Sequence, residues 1–167
     1  LPKCLFLSEG ITDALDHSSP EALVGGKLGI DFTASHTPAA PESIEGSALK
    51  ERLQGVIPEV RDAIVYMRHT ANPIVVVSVR KTTRSVRECF GALEALGSYL
   101  RIVVFVDEEK NDLHNPYMLI WRVTNNIDAQ RDVYRSETIV AVDATTKGPV
   151  DGFEREWPGD VECTPSV

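Results

Sequence analysis

The chain has 167 residues, 43% hydrophobic and 25% charged, so it can bury a substantial core and is ordinary in make-up for a globular protein. Its 17 basic and 25 acidic side chains leave a formal net charge of −8, which argues against a nucleic-acid groove or an anionic membrane surface as partner. No apolar run approaches the roughly 20 residues that cross a bilayer, and the 3 cysteines, Cys4, Cys89 and Cys163, have no framework spacing, which favours a reducing, cytoplasmic compartment.

The chain opens at Leu1, without an initiator methionine, on what reads as the end of a strand at residues 4–7, and it is expected to be a piece of a longer protein. Residues 9–27 predict a loop, because Gly10, Asp13, Asp16, Ser18, Ser19, Pro20, Gly25 and Gly26 are turn and cap chemistry. A short strand at 28–33 runs out at Asp31. Residues 34–43, with Pro38 and Pro41 and no periodicity, predict an extended connector. Ser47 is a candidate cap for a helix that buries Leu49, Leu53 and Val56, and residues 63–67 read as a strand.

The centre of the chain is the most regular stretch. Residues 74–79 and 102–106 are short runs rich in β-branched residues, apolar on both faces, which suits strands covered on both sides. Between them Val86, Cys89, Phe90, Leu93, Leu96 and Leu100 recur at steps of three and four, one side of a helix, with Thr82, Thr83 and Ser85 as candidate caps. Strand, amphipathic helix and strand make a βαβ unit.

The charged run 107–112 then predicts a loop. Asn115-Pro116 starts a helix, with proline at the first helical position, that ends near Asn125 or Asn126. It is apolar nearly all round. At about 100° per residue, Leu119, Ile120 and Val123 fall on one side and Tyr117, Met118 and Trp121 on the other. One set can bury against the sheet, so Tyr117, Met118 and Trp121 form a candidate interface. Another subunit or domain covers it, or the tail around Phe153 and Trp157 folds back over it. A strand at 138–142 ends in Asp143-Ala-Thr145, and the residues after Lys147 read as irregular, anchored by Trp157 and Pro158. The strand, Asp-x-Thr and proline of residues 140–149 echo those of residues 28–38. Such an echo marks either a repeat or two strand ends closed by Asx or Thr turns.

Catalytic signatures are weak. Arg80, Lys81, Thr82, Thr83 and Ser85 lie between a strand end and a helix start, where anions bind. They form the candidate anion site, against a reading in which the basic residues face Asp107, Glu108 and Glu109. Gly25-Gly-Lys27 lacks the first glycine and the final Ser or Thr of a phosphate loop. The histidines His17, His36, His69 and His114 are isolated, so no metal site is expected from this chain alone. Asp16-His17-Ser18 are adjacent residues that point apart, and Cys89 lies on an apolar stripe, as a core residue does.

The ordered set of segments carries more. Val77-Ser-Val-Arg-Lys81, Ile102-Val-Val-Phe-Val-Asp107, Leu119-Ile-Trp-Arg-Val123, Asn126-Ile-Asp-Ala-Gln-Arg-Asp132, Val142-Asp-Ala-Thr-Thr-Lys147 and Phe153-Glu-Arg-Glu-Trp-Pro158 follow one another as in the UbiD family of prenylated-flavin decarboxylases. The chain resembles the carboxyl-terminal domain of that family. Leu15-Asp-His-Ser-Ser-Pro20 and Gly25-Gly-Lys-Leu-Gly-Ile-Asp-Phe-Thr33 resemble an earlier copy of the same end, as in homologues with a duplicated terminus. Ala129 stands where the family has proline, and Phe32 where it has alanine.

The resemblance implies an α/β fold with a mainly parallel sheet and helices on both faces. It implies that residues 1–46 end a first repeat and connect it to an α/β domain at 47–167. By that resemblance the parent enzyme would remove CO₂ from an aromatic or unsaturated acid, with a place in quinone biosynthesis, using prenylated FMN and a divalent metal bound upstream. This domain would serve assembly and closing, with the upstream catalytic domain and further copies as partners. The family's catalytic Arg, Glu and Asp/Glu have no counterpart here, so the chain alone is expected to hold no catalytic, cofactor or metal residues and to be inactive. The alternative is an independent flavodoxin-like module that binds a phosphate or mononucleotide at residues 80–85.

Overall fold

A computed structural model describes residues 39–159 in full and the strands β1 (Lys3–Gly10) and β2 (Gly25–Asp31) as backbone. These two strands pair antiparallel. The loop expected around His17, the Asp16-His17-Ser18 run, His36 and Cys163 lie outside the described residues. β2 begins at Gly25, ahead of the expected start of that strand.

After the connector comes α1 (Gly46–Val56), which buries Leu49 and Leu53 as its spacing predicts. Its cap is Glu45, and Ser47 lies inside the helix, so the expected Ser47 cap is corrected by two residues. β3 (Val60–Tyr66) starts earlier than its apolar run, because Arg61 and Asp62 continue the edge strand with exposed side chains. Met67, expected at the end of that strand, instead turns the chain with φ 53°. β4 (Ile74–Val79) and β5 (Ile102–Asp107) are the two central runs, buried and parallel. β7 (Val140–Asp143) pairs parallel on the other side of β5. The sheet order is β3-β4-β5-β7-β6, with β6 (Val133–Arg135) and β3 antiparallel at the two edges. The parallel core is therefore three strands wide, with an antiparallel strand on each flank.

Between β4 and β5 the expected single helix is shorter and tighter. α2 spans Val86–Phe90, and Gly91–Leu96 continues as 3-10 turns. The apolar stripe survives the change: Val86, Cys89, Leu93, Leu96 and Leu100 are all buried. The chain then passes Gly97, where a Cβ would sit 3.1 Å from Thr138 Oγ1 and 3.2 Å from the Glu94 carbonyl oxygen, tighter than side chains usually allow. Ser85 caps α2 in a reciprocal box with Glu88.

Alternation along β4 divides the core. Val75, Val77 and Val79 join Phe105, Leu49, Leu53 and the α2 stripe on one face. Val76 joins Val104, Val106, Leu113, Val142 and Leu119 on the other. Leu119 belongs to α3 (Pro116–Asn126), so helices cover both faces. α4 (Ala129–Asp132), a single turn, leads into β6.

Candidate functional site

α3 starts where Asn115-Pro116 predicts, with Asn115 Oδ1 accepting from Met118 N at 3.2 Å. Leu119 faces the sheet, with Val123 packed beside it. Ile120, expected on that side, is instead 63% exposed. It lies about 100° round the helix from Leu119, beyond the side on which Leu119 and Val123 pack. Tyr117 at 84%, Met118 at 46% and Trp121 at 48% are exposed as well, so the outer side of α3 carries four large apolar side chains. The tail does not reach them through its aromatic anchors. Phe153 is buried elsewhere, edge to face with Trp157 at 5.4 Å.

Those anchors meet a buried charge network at the carboxyl edge of the sheet. Asp143 ends β7, and its Oδ1 accepts from Thr145 N at 3.0 Å and Thr145 Oγ1 at 2.6 Å. This is the Asx-type turn that the Asp-x-Thr spacing allows. The turn brings Lys147 back beneath itself. Lys147 Nζ donates to the carbonyls of Asp143 at 2.9 Å and Thr145 at 2.6 Å, with Asp143 Oδ1 at 3.3 Å and Asp132 Oδ1 at 3.7 Å. Asp132 is fully buried, and Arg131 grips it with two bonds of 2.7 Å. The Arg131 guanidinium also lies 5.1 Å from the Phe153 ring centre and 6.0 Å from that of Trp157. Burial is the largest influence on the Asp132 carboxyl and pushes it up, opposed by the Arg131 hydrogen bond and then by Lys147. Sequence reasoning named these residues within matched segments and assigned them no role; three charged residues in five positions, Asp128, Arg131 and Asp132, were the available signal.

The candidate anion residues separate. Arg80 Nε lies 2.7 Å from Glu108 Oε2. Lys81 Nζ donates to Asp151 Oδ2 and to the Thr146 carbonyl, both at 2.7 Å. Arg80 and Lys81 line an open cleft of about 380 Å³ together with Asp107, Glu108, Thr146 and Asp151. Thr82 and Thr83 are exposed in a bend, and Ser85 is committed to its cap. Arg80 and Lys81 thus face carboxylates, Glu108 and Asp151, which gives an independent flavodoxin-like anion module at these residues no support. Cys89 is buried, and burial pushes its thiol up, as suits a core residue. His69 and His114 are exposed on different loops. Among the described residues no three His, Cys, Asp or Glu side chains gather as a metal site, and no helix is long and apolar enough to cross a membrane. The arrangement closes charges on one another and fastens α4, β7 and the tail together.

Comparison with known proteins agrees with the ordered segments. Residues 37–152 match the family described as the 3-octaprenyl-4-hydroxybenzoate carboxy-lyase C-terminal domain. An uncharacterized protein of Helicobacter pylori is 46% identical over 162 residues, covering 97% of this chain and 26% of its own length. The chain thus spans about a quarter of the length of the curated relatives it matches. An evolved dimeric form of the UbiD-class enzyme HmfF from Pelotomaculum thermopropionicum, in complex with prFMN, aligns over 73% of this chain and 27% of that one, with a TM-score of 0.56 and 22% identity. The open form of Sedimentibacter hydroxybenzoicus vanillic acid decarboxylase aligns over 73% and 30%, with a TM-score of 0.56 and 20% identity. At these identities the structural likeness shows the fold.

Proposed function

The chain belongs to the UbiD family, whose carboxyl-terminal domain it contains, and from that premise we propose that it is the assembly and closing domain of a larger non-oxidative decarboxylase. The observation that carries this reading is α3, a helix of the matched domain with apolar side chains both towards the sheet and away from it. A sheet-covering helix needs only one such side. The second is a surface for the upstream catalytic domain or for a further copy, and Tyr117, Met118 and Trp121 are its core.

The substrate of the parent protein is an aromatic or unsaturated carboxylic acid. The matched family's description and the vanillic acid decarboxylase likeness support that class, the former also supports a place in quinone biosynthesis, and the cysteines without framework spacing favour the cytoplasm. Prenylated FMN, with a divalent metal, supplies the decarboxylation chemistry when bound upstream. The described residues of this chain do not fit a flavin phosphate, because Arg80 and Lys81 are matched by Glu108 and Asp151. The role of this chain is mechanical. Residues 1–46 end a first repeat and residues 47–167 form the domain. In support, the β1–β2 and β6–β7 pairs are both antiparallel, and each runs into an Asp-x-Thr turn sequence at Asp31 or Asp143.

The test supplies prenylated FMN and a hydroxybenzoate- or cinnamate-type acid to the complete parent protein and to this chain. The parent is expected to release CO₂ and this chain to release none. Turnover by this chain, or none by the parent with any aromatic or unsaturated acid, overturns the reading.

A further inference from the structure

α4 leads into the edge strand β6, and its buried Ala129 belongs to neither core cluster. Two other parts of the chain meet it there. The aromatic anchors of the tail reach it through Arg131, and both strands of the β1–β2 hairpin lie against it. Among the described elements no other meets that hairpin to a comparable extent. The hairpin has a counterpart within the domain. β2 ends at Asp31 of Asp-Phe-Thr33, and β7 ends at Asp143 of Asp-Ala-Thr145. Asp31 pairs with Lys3. Val142 pairs with Val133, so one step further along the same register Asp143 stands opposite Asp132. Position for position, Lys3 thus holds the place of Asp132, and Ser35 that of Lys147. The lysine has changed strand, and each hairpin still has one at its Asp-x-Thr aspartate. A charge that moves but is kept is what two diverged copies of one unit retain.

We propose that α4 is the seam between two repeats: the closing hairpin of the first seats on α4 of the second and, with the tail, keeps water from its charge network. This rests on the reading of residues 1–46 as the end of a first repeat. A helix of four residues is too short to carry an apolar stripe that would hold it to the sheet, so α4 depends on what lies over it. Asp128 and Asp132 are both buried there. Asp128 Oδ1 accepts from the backbone of Gln130 and Arg131, and Asp132 Oδ2 accepts from Asp128 N. Water entering the seam would weaken the Arg131–Asp132 pair, because the attraction of two charges falls steeply as the local dielectric rises. The seam fixes the first repeat beside β6, at the far edge of the sheet from β3.

Gly29→Pro places a proline in β2 opposite Leu5 and breaks the ladder of the hairpin. Hydrogen exchange is expected to rise several-fold at amides 128–132, with β4 and β5 as protected as in the wild type. Release of the hairpin amides with no change at 128–132 overturns the seam. The second measurement leaves the hairpin intact, in a Cys163→Ser background with Cys89 buried in the core. Gln130→Cys, exposed on α4, should be joined within one chain by a bis-maleimide to Cys4, or to Leu7→Cys in a Cys4→Ser background. Glu51→Cys, exposed on α1, should not. No link from position 130, or an equal link from position 51, overturns the seam and leaves the repeat reading in place. That reading fails instead if the complete parent protein holds no earlier copy of residues 47–143 ahead of this chain.

Discussion

α1 and α3 are both helices of 11 residues, and each covers one face of the same sheet. α1 buries Leu49 and Leu53 and turns Glu51, Arg52 and Gln54 to solvent. Its fringe is tied down by polar contacts, with Lys50 3.1 Å from Asp62 and Arg52 4.9 Å from the Tyr99 ring centre. α3 buries Leu119 against the sheet and holds Tyr117, Ile120 and Trp121 outward. The difference teaches that what a helix buries does not say whether it is the last layer of a fold. The residues on its far side do. α1 finishes its face, and α3 is built to lie between two surfaces.

The comparison breaks most easily at the sealed face. Phe105 is 1% exposed in the cluster beneath α1, and Phe105→Ala should cost about 3–5 kcal/mol in chemical denaturation. Little loss would mean that this face is less tightly closed than its burial implies. The charge network sharpens the other side, because it holds the end of α3: Asn126 Nδ2 donates to the Ala144 carbonyl at 3.1 Å, beside the Asp143 turn that Lys147 closes. Lys147→Met should cost about 3 kcal/mol, since it leaves Asp132 and Asp143 buried with fewer partners. Hydrogen exchange should then rise in the carboxyl half of α3 before it rises in α1.

Acid should loosen the α1 side first. Glu59 follows α1, and the Arg84 hydrogen bonds at 2.6 and 2.8 Å hold its carboxyl below the ordinary 4.5. A lowered acid stabilises the fold above its ordinary value and loses that contribution as falling pH protonates it. Glu59→Gln should therefore be less stable than the wild type at pH 7, with the gap closing below pH 4.5. A gap that persists there would assign the loss to shape instead of charge. The smallest expected effect is Ile120→Ser, within about 0.5 kcal/mol for the unassociated chain, because the side chain is exposed. A loss as large as that of Phe105→Ala would mean that α3 is covered within its own chain.

Much of this was legible in the sequence where burial is simple. β4 and β5 are covered on both faces, so their unbroken β-branched runs announced them, and Asn115-Pro116 marked the start of α3. β6 and α4 span three and four residues, too short for any periodicity to register. The stripe from Val86 to Leu100 is equally compatible with α-helix and with the 3-10 turns that follow Phe90, because both bring third neighbours together. Ile120 falls on the sheet side by angle alone, and which part of that side the sheet covers is a tertiary quantity. The Lys147 network was the least legible part. Its members come from α4, from the end of β7 and from the turn after it, and only the fold makes them neighbours.

The central claim is that α3 is an inner layer of the parent assembly, and Trp121 reports on it directly. In a Trp157→Phe background Trp121 is the only tryptophan of this chain, so the chain at high dilution gives the quenching of an exposed indole by acrylamide. Placing the same background in the complete parent protein, with any other tryptophan there replaced, gives the value in the assembly. The account predicts strong quenching in the dilute chain and a several-fold weaker response in the parent. Equal quenching in both would contradict it.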